Sequence, residues 1–185
     1  MIITQKGYSL KFIQKVKIKN GDGHLSTLIF TFHSSKNKIK YVLNIEEYEE
    51  QLFAIKFYPK SLKKSDLKYN IIINKGDVIK VLMTCASVIP HILESNENAS
   101  FGFVGSRTFD SSRRAFTENS ILNKRYRVYS KLIKEVIGNK TFVHMEYEKI
   151  SGYLLINKRF EKIEIKEAKI KEVLNGIYTF VEELQ

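Results

Sequence analysis

The sequence is poor in the residues that build disulfide-bonded, zinc-binding and membrane-spanning proteins. Its single cysteine, Cys85, excludes an intrachain disulfide and a zinc site made of several cysteines. No uninterrupted apolar run approaches the length of about 20 residues that crosses a bilayer. The first residues also lack the apolar core of a signal peptide. We therefore expect a soluble, cytoplasmic protein that has no membrane partner.

Proline and glycine are scarce as well, with two prolines and nine glycines in 185 residues. The chain has no linker rich in glycine, serine or proline and no repeat of fixed period. Apolar residues make up 43% of the composition, which is enough for a hydrophobic core and excludes general disorder. The simplest organisation is a single domain over residues 1–185.

Motifs for metal and nucleotide chemistry are missing too. The four histidines do not have the spacing of metal ligands: His24, His33, His91 and His144. Neither the glycine-lysine pattern of a P-loop nor a Gly-x-Gly-x-x-Gly motif occurs. We expect no metal and no cofactor.

Alternating apolar and polar residues predict an antiparallel meander in the first third of the chain. Strands are expected over residues 8–19, 25–33, 39–45 and 51–58, with a tight turn over 20–23 and a short strand over 69–73. The acidic run of Glu46, Glu47, Glu49 and Glu50 is interpreted as a solvated loop.

Apolar residues at helical spacing follow from Val78 to Ile92, with Asp77 as the N-cap and Pro90 as an interruption. A strand over 99–104, a helix that ends at Gly138, a hairpin over 141–156 and a helix over 163–184 complete the prediction. The predicted fold class is α+β. A mostly antiparallel sheet, formed by the N-terminal meander and later strands, has helices packed on one face, including a C-terminal helix.

The chain is strongly basic, with 31 lysine and arginine residues against 20 aspartate and glutamate residues, and its net charge is +11. Only six of the basic residues are arginine, and five of those six lie within residues 107–127: Arg107, Arg113, Arg114, Arg125 and Arg127. Random placement would put fewer than one arginine in that window. A guanidinium binds phosphate or carboxylate through paired hydrogen bonds, which lysine cannot reproduce.

Aromatic residues accompany these arginines, as in surfaces that stack the bases of single-stranded RNA or DNA. Gly105 and Ser106 follow a predicted strand, where backbone N–H groups can cradle an anion. The predicted phosphate- or nucleic-acid-binding residues are Gly105, Ser106, Arg107, Arg113, Arg114, Arg125, Tyr126 and Arg127. The alternative is that the arginines make ordinary surface contacts on a helix face and a loop.

Three functions are consistent with these patterns. The first is a basic protein that binds nucleic acid or nucleotide phosphate, with RNA favoured, of the kind found in toxin-antitoxin or phage-defence systems. The second is a protein-interaction module, an inhibitor or immunity protein that docks an acidic protein through the same arginines. The third is a metal-independent ribonuclease with His144 as its catalytic base, since His144 and Glu146 share a strand face. The oligomeric state stays open, and a strand edge permits a dimer.

Residues 66–158 resemble a small family of cytosolic proteins from Bacteroidota. The resemblance rests on Asn74-Lys75-Gly76-Asp77, the helix from Lys80 to Val88, Gly105-Ser106 after a strand, and Arg114-Ala115-Phe116. The chain departs from the family at Ala115-Phe116, where a leucine-tyrosine pair is expected, in extra residues between Ser106 and Arg113, and in its longer C-terminal helix. The resemblance implies one fold and a common surface at the Gly-Ser and arginine segment, and it implies no activity.

Overall fold

A seven-stranded sheet forms the centre of the protein, in the order β1-β2-β3-β4-β5-β9-β8. The computed structural model describes residues 6–19, 23–71 and 76–177. The strands of the sheet are Lys11–Lys17 (β1), His24–Ser34 (β2), Ile39–Tyr48 (β3), Leu52–Pro59 (β4), Ser100–Val104 (β5), Phe142–Tyr147 (β8) and Gly152–Asn157 (β9). A separate small hairpin joins Phe109–Asp110 (β6) to Ala115–Phe116 (β7).

One neighbouring pair of strands in this sheet is parallel, and it is short. Leu52–Ala54 of β4 pair with Ser100–Gly102 of β5, whereas the other pairs are antiparallel. Beyond Ala54, β4 continues to Pro59 paired with β3 alone. Beyond Gly102, β5 continues paired with β9 alone. The sheet therefore splits between β4 and β5 towards the carboxyl ends of both strands.

Four helices pack on this sheet: Val78–Ala86 (α1), Val88–Ser95 (α2), Lys124–Ile137 (α3) and Ile163–Ile177 (α4). The predicted helix after Asp77 is interrupted at Ser87, which separates α1 from α2. Pro90 explains the position of the break, because a proline lacks the N–H that would bond the carbonyl of Ala86 and its ring crowds that carbonyl. Asp77 precedes α1, but its carboxylate accepts hydrogen bonds from Ser34 and from the Tyr8 hydroxyl.

Each face of the sheet carries a hydrophobic core, because successive side chains of a strand point to opposite faces. The face beneath α1, α2 and α3 buries Phe53 and Leu155 with the helix residues Val81, Ile89 and Tyr126. The opposite face packs Leu52, Ala54, Leu154 and Ile156 against Ile170 of α4. The predicted α+β class is confirmed. The expected arrangement put all helices on one face of the sheet, whereas α4 packs on the face opposite to α1–α3.

Two local predictions are wrong in part, and three predicted segments lie partly outside the described residues. The acidic run is a loop only in part. Glu46 and Glu47 belong to β3 and form ion pairs with Lys56 and Lys15, whereas Glu49 and Glu50 lie in the short 3-10 turn that connects β3 to β4. The predicted strand over 69–73 is wrong at its start, where residues 66–70 form turns. Residues 72–73 of that strand, residues 20–22 of the predicted tight turn, and residues 178–184 of the predicted C-terminal helix lie outside the described residues.

Within the described residues, Val78–Ser95 is the one stretch whose length and composition would suffice to cross a membrane. Core helices of soluble proteins pass the same test. This stretch is broken at Ser87, and its residues Val81, Val88, Ile89 and Ile92 are buried in the core beneath α1–α3. The stretch is therefore consistent with a soluble protein.

Phe101 offers a direct test of the core, because it is 1% exposed and its ring lies 5.8 Å from the rings of both Phe53 and Phe142. We expect Phe101→Ala to lower the free energy of unfolding by about 3–5 kcal/mol, because it leaves a cavity where β4, β5 and β8 meet. Urea denaturation measures this change. The control is Ile165→Ala at a 52%-exposed position of α4, and equal effects of the two variants would contradict the packing described.

Candidate functional site

Buried hydrogen bonds of Asn123, Ser151 and Gly105 fix the start of α3 to the sheet beside the split. The Asn123 amide donates to the carbonyl of Gly105, and its Oδ1 accepts from the N–H of Tyr126 at 2.9 Å as the N-cap of α3. The N–H of Asn123 donates to the Ser151 hydroxyl at 3.0 Å. The N–H of Gly105 donates to the carbonyl of Ser151 at 2.9 Å. These hydrogen bonds therefore join the carboxyl end of β5, the start of β9 and the N-terminus of α3.

This arrangement corrects the prediction for Gly105. The residue is buried, and both its N–H and its carbonyl are bonded inside the fold. A Cβ at this position would lie 2.6 Å from Oδ1 of Asn123 and 2.9 Å from the N–H nitrogen of Tyr126, so glycine is required for close packing. Gly105 positions the site and does not cradle an anion, whereas its neighbour Ser106 lines a cavity.

The β6–β7 hairpin presents an arginine and an aromatic ring together. The guanidinium carbon of Arg107 lies 4.1 Å from the centroid of the Phe116 ring, and that ring is 40% exposed. The ring of Phe109, on the paired strand β6, packs against the ring of Phe116, and the two ring centroids are 5.4 Å apart. A planar cation stacked on an exposed ring is a platform that suits both a base and a phosphate.

The remaining arginines of the hairpin lie at its tip. Arg113 has a side chain that is 78% exposed, and its Nε lies 3.6 Å from Oδ2 of Asp110. Arg114 is exposed and has a left-handed backbone with φ of 50°. Asp110 is engaged by the turn itself, because its Oδ1 accepts from the N–H and the hydroxyl of Ser112 at 2.8 and 2.6 Å. We name Arg107, Arg113, Arg114 and Phe116 the hairpin surface.

Glu118 connects the hairpin to α3. Its carboxylate accepts from the N–H and the hydroxyl of Thr108 at 2.9 and 2.5 Å and from the N–H of Lys124 at 2.8 Å. Burial opposes ionisation of Glu118, but these hydrogen bonds outweigh it and lower the pKa of the carboxyl group. A carboxylate of the chain itself therefore already occupies the N-terminus of α3, where the helix dipole favours negative charge.

A lysine-rich loop lies beside the hairpin. The side chain of Asn70 donates to the carbonyl of Arg107 at 3.0 Å, and the N–H of Phe109 donates to the carbonyl of Asn70 at 3.0 Å. This loop includes three exposed lysines, Lys60, Lys63 and Lys64. The hairpin surface and this loop therefore carry six exposed basic side chains on two segments that Asn70 joins.

The arginines of α3 do not join the hairpin surface as one patch. Successive helix residues are about 100° apart, so Arg125 and Arg127 point to nearly opposite sides of α3. Arg127 is exposed, whereas Arg125 is half-buried and lines the cavities at the split. Tyr126 is 2% exposed, and its hydroxyl donates to Glu146 at 3.2 Å. Tyr126 is therefore a core residue and has no surface for stacking a base.

Two cavities meet where β4 and β5 separate, and we name them together the β4–β5 cleft. One, of about 250 Å³, opens on the face beneath α1–α3. The other, of about 350 Å³, extends to the α4 face. Both are lined by Phe57, Tyr69, Arg125 and Tyr129. The first cavity also includes Lys68 and Lys124, and the second includes Ser106.

The polar groups of the cleft are held in a partly desolvated environment. Burial lowers the pKa of the Arg125 guanidinium, although Tyr129 and Glu118 oppose this effect. Burial raises the pKa of the Tyr129 hydroxyl, and burial followed by the charge of Glu46 raises the pKa of Tyr69 to about 12. Both phenols are thus protonated donors at neutral pH. Among the described residues, none forms an ion pair or hydrogen bond with the Arg125 guanidinium or the Tyr129 hydroxyl.

His144 lies away from this cleft, at the other end of α3. Its Nε2 is 2.6 Å from the carbonyl of Gly138, which can only accept, so Nε2 carries a proton and donates. Its Nδ1 then accepts from the Tyr153 hydroxyl at 2.7 Å. His144 and Glu146 share a face as predicted, but Glu146 pairs with Lys134 at 2.6 Å. Nε2 of His144 therefore ties the end of α3 to β8, and Nδ1 links β8 to β9, so the geometry gives His144 a structural role.

No match to this chain is found among protein-family models, curated proteins or solved structures. The resemblance to a family from Bacteroidota therefore stays a prediction. Within residues 6–19, 23–71 and 76–177, no group of three or more histidine, cysteine, aspartate or glutamate side chains is placed to hold a metal ion.

Sequence reasoning missed most of the cleft. Tyr69 and Phe57 lie in predicted strands that carry no sign of a site, and no sequence pattern points to Lys68. One signal was available: Tyr129 lies one helical turn from Arg125, so the two side chains share a side of α3. That Tyr69 of the loop lines the same cleft can be seen only in the tertiary structure, because Tyr69 is far from Arg125 and Tyr129 in the sequence.

The bonds of Asn123 generate a first prediction for the site. We expect Asn123→Ala to lower the free energy of unfolding by about 1–3 kcal/mol, because the N-cap of α3 and the buried bond to Gly105 are both lost. Asn123→Asp keeps the cap acceptor and loses the amide donor, so it separates the two contributions. Thermal and urea unfolding measure both variants. Wild-type stability of Asn123→Ala would contradict the role assigned to this residue.

His144 generates a second prediction. We expect His144→Ala to destabilise the fold by about 1–3 kcal/mol, because two partly buried hydrogen bonds are lost. RNA binding and the integrity of bound RNA should be unchanged at temperatures where the variant is folded. The control is His91→Ala on α2, where the side chain is 62% exposed. Unchanged stability together with loss of an RNA-cleaving activity would show instead that His144 is catalytic.

Proposed function

We propose that this protein binds single-stranded RNA through the hairpin surface. The stacked pair of Arg107 and Phe116 carries the proposal, because it places a phosphate-binding fork and an exposed aromatic face 4.1 Å apart. Bases of single strands stack on such faces without a fixed sequence, and the guanidinium binds the adjacent phosphate. Accessible bases distinguish single strands from a duplex, whose bases are already stacked.

The tip of the hairpin supports the same function. The side chain of Arg113 is 78% exposed, and Arg114 is exposed as well. The only carboxylate near Arg113 among the described residues is Asp110, at 3.6 Å, which the turn already engages. These guanidinium groups can therefore bind phosphates without first losing a strong intramolecular partner.

The charge distribution supports affinity for a polyanion. Neutralising phosphates with lysine and arginine releases condensed counterions, which makes binding favourable and dependent on salt. The net charge of +11 supplies long-range attraction, and the exposed lysines of residues 60–64 extend the basic region beside the hairpin. We propose the cytoplasm as the location, where RNA partners occur.

Arginine geometry is the testable part of this proposal. We expect the triple variant Arg107→Lys, Arg113→Lys and Arg114→Lys to bind short single-stranded RNA about tenfold or more weakly than the wild type, since lysine keeps the charge and loses the planar fork. Fluorescence anisotropy at physiological salt measures this loss. Phe116→Leu should also weaken binding, because it keeps the apolar volume and removes the stacking face.

The matched control is Arg127→Lys with Arg159→Lys, two exposed arginines outside the hairpin that undergo the same change. We expect this double variant to bind within about twofold of the wild type, because these arginines are not part of the stacked pair. Equal affinity of the triple variant and the wild type would show a generic basic surface and contradict the proposal. RNA-independent capture of a purified acidic protein by the same arginines would favour the protein-interaction alternative.

A further inference from the structure

The β4–β5 cleft has no part in the hairpin surface, yet its position is that of a ligand site. In open α/β sheets, ligands bind beyond the carboxyl ends of parallel strands, where neighbouring strands diverge. The one parallel pair of this α+β sheet offers the same kind of opening. β4 and β5 are parallel, and they separate after Ala54 and Gly102. Residues Ile55–Pro59 of β4 thereby have one side without a strand partner among the described residues. Backbone groups along that side are available to a ligand.

The cleft offers a place for a doubly charged anion. Lys68, Lys124 and Arg125 line the same cavity. The single carboxylate among the described lining residues, Asp77, is held by Ser34 and by Tyr8 at 2.8 Å. Arg125 has no ion-pair partner in the described part of the chain, and burial strengthens any charge-assisted bond that it forms. Two lysines in the same cavity as a partly buried guanidinium suit a phosphate better than a single carboxylate.

The cleft also offers a place for a planar ring. Tyr129 packs beside Phe57 at 6.2 Å and Phe103 at 5.5 Å, and its hydroxyl has no hydrogen-bond partner in the described structure. Tyr69, from the loop that follows β4, also lines both cavities. Aromatic walls with a few placed polar groups are typical of sites for planar ligands. Ser106 and the open side of β4 add hydrogen-bonding groups at the margin of a bound ring.

We propose that the β4–β5 cleft binds a nucleoside monophosphate unit, with its phosphate at Arg125 and its base between Tyr69 and Tyr129. Cavities of about 250 and 350 Å³ that share four lining residues match the size of small-molecule sites, which is roughly 300–1,000 Å³. This inference goes beyond the RNA surface, because none of the residues that carry it belongs to the hairpin surface.

Isothermal titration calorimetry with the full chain tests the proposal. The probes are the four ribonucleoside 5′-monophosphates, with inorganic phosphate and the corresponding nucleosides as partial ligands. At least one monophosphate should bind about tenfold or more tightly than either of its parts, because the whole ligand contacts both Arg125 and the aromatic side chains whereas each part contacts only one of them. Saturable binding by none of the four monophosphates would overturn the proposal.

Two conservative variants assign the binding to the cleft. Arg125→Lys should weaken binding of the monophosphate about tenfold, as expected for the loss of a paired charge-assisted hydrogen bond. Tyr129→Phe keeps the packing of the ring and removes only the hydroxyl, and it should weaken binding severalfold. Arg127→Lys, on the opposite side of α3, is the matched control and should bind as the wild type does. Wild-type affinity in both cleft variants would overturn the assignment.

The hairpin triple variant separates this proposal from the RNA surface, because it should retain full affinity for the monophosphate. Competition then identifies the source of the nucleotide. Displacement of the bound monophosphate by an RNA that carries a 5′-phosphate, but not by the same RNA with a 5′-hydroxyl, would show that the cleft takes an RNA end. Displacement by neither RNA would show that it takes a free nucleotide.

Discussion

The parallel pairing of β4 with β5 extends over only three residues of each strand, Leu52–Ala54 and Ser100–Gly102. Past that point β4 stays paired with β3 and β5 stays paired with β9, so a gap opens inside the sheet while both strands continue. The split is lined by Arg125 and Tyr129 from α3 and by Tyr69 from the loop that follows β4. The cleft, the position of α3 and the path of the loop all depend on this divergence.

The buried hydrogen bonds of Asn123 couple that divergence to the hairpin. Asn123 binds Gly105 at the end of β5, and Glu118 binds both Thr108 and the first N–H of α3. The segment between β5 and α3 is therefore held at both ends, and its middle projects as the β6–β7 hairpin. A rigid base with exposed arginines at the tip suits recognition of a flexible polyanion, since only the ligand must become ordered on binding.

Periodicity predicted much of the fold, because the residues of the meander and of α3 follow the pattern of their own element. Periodicity failed where tertiary contacts determine the conformation or the burial of a residue. Glu46 and Glu47 have the composition of a loop, yet ion pairs with Lys56 of the neighbouring β4 and with Lys15 of β1 allow them to stay in β3. The arginine cluster singled out one segment, but sequence spacing alone does not distinguish its members. The structure separates exposed Arg107, half-buried Arg125 and the buried ring of Tyr126, and it brings in Tyr69, which no local pattern connects to α3.

The central claim is that the hairpin surface contacts RNA directly. Photocrosslinking of the full chain to single-stranded RNA that contains 4-thiouridine, followed by mass spectrometry of the crosslinked peptides, tests this claim at the level of residues. The account predicts crosslinks within residues 107–116, with Phe116 foremost. Crosslinks confined to the lysines of β1 or to residues 60–64, with none in the hairpin, would contradict it.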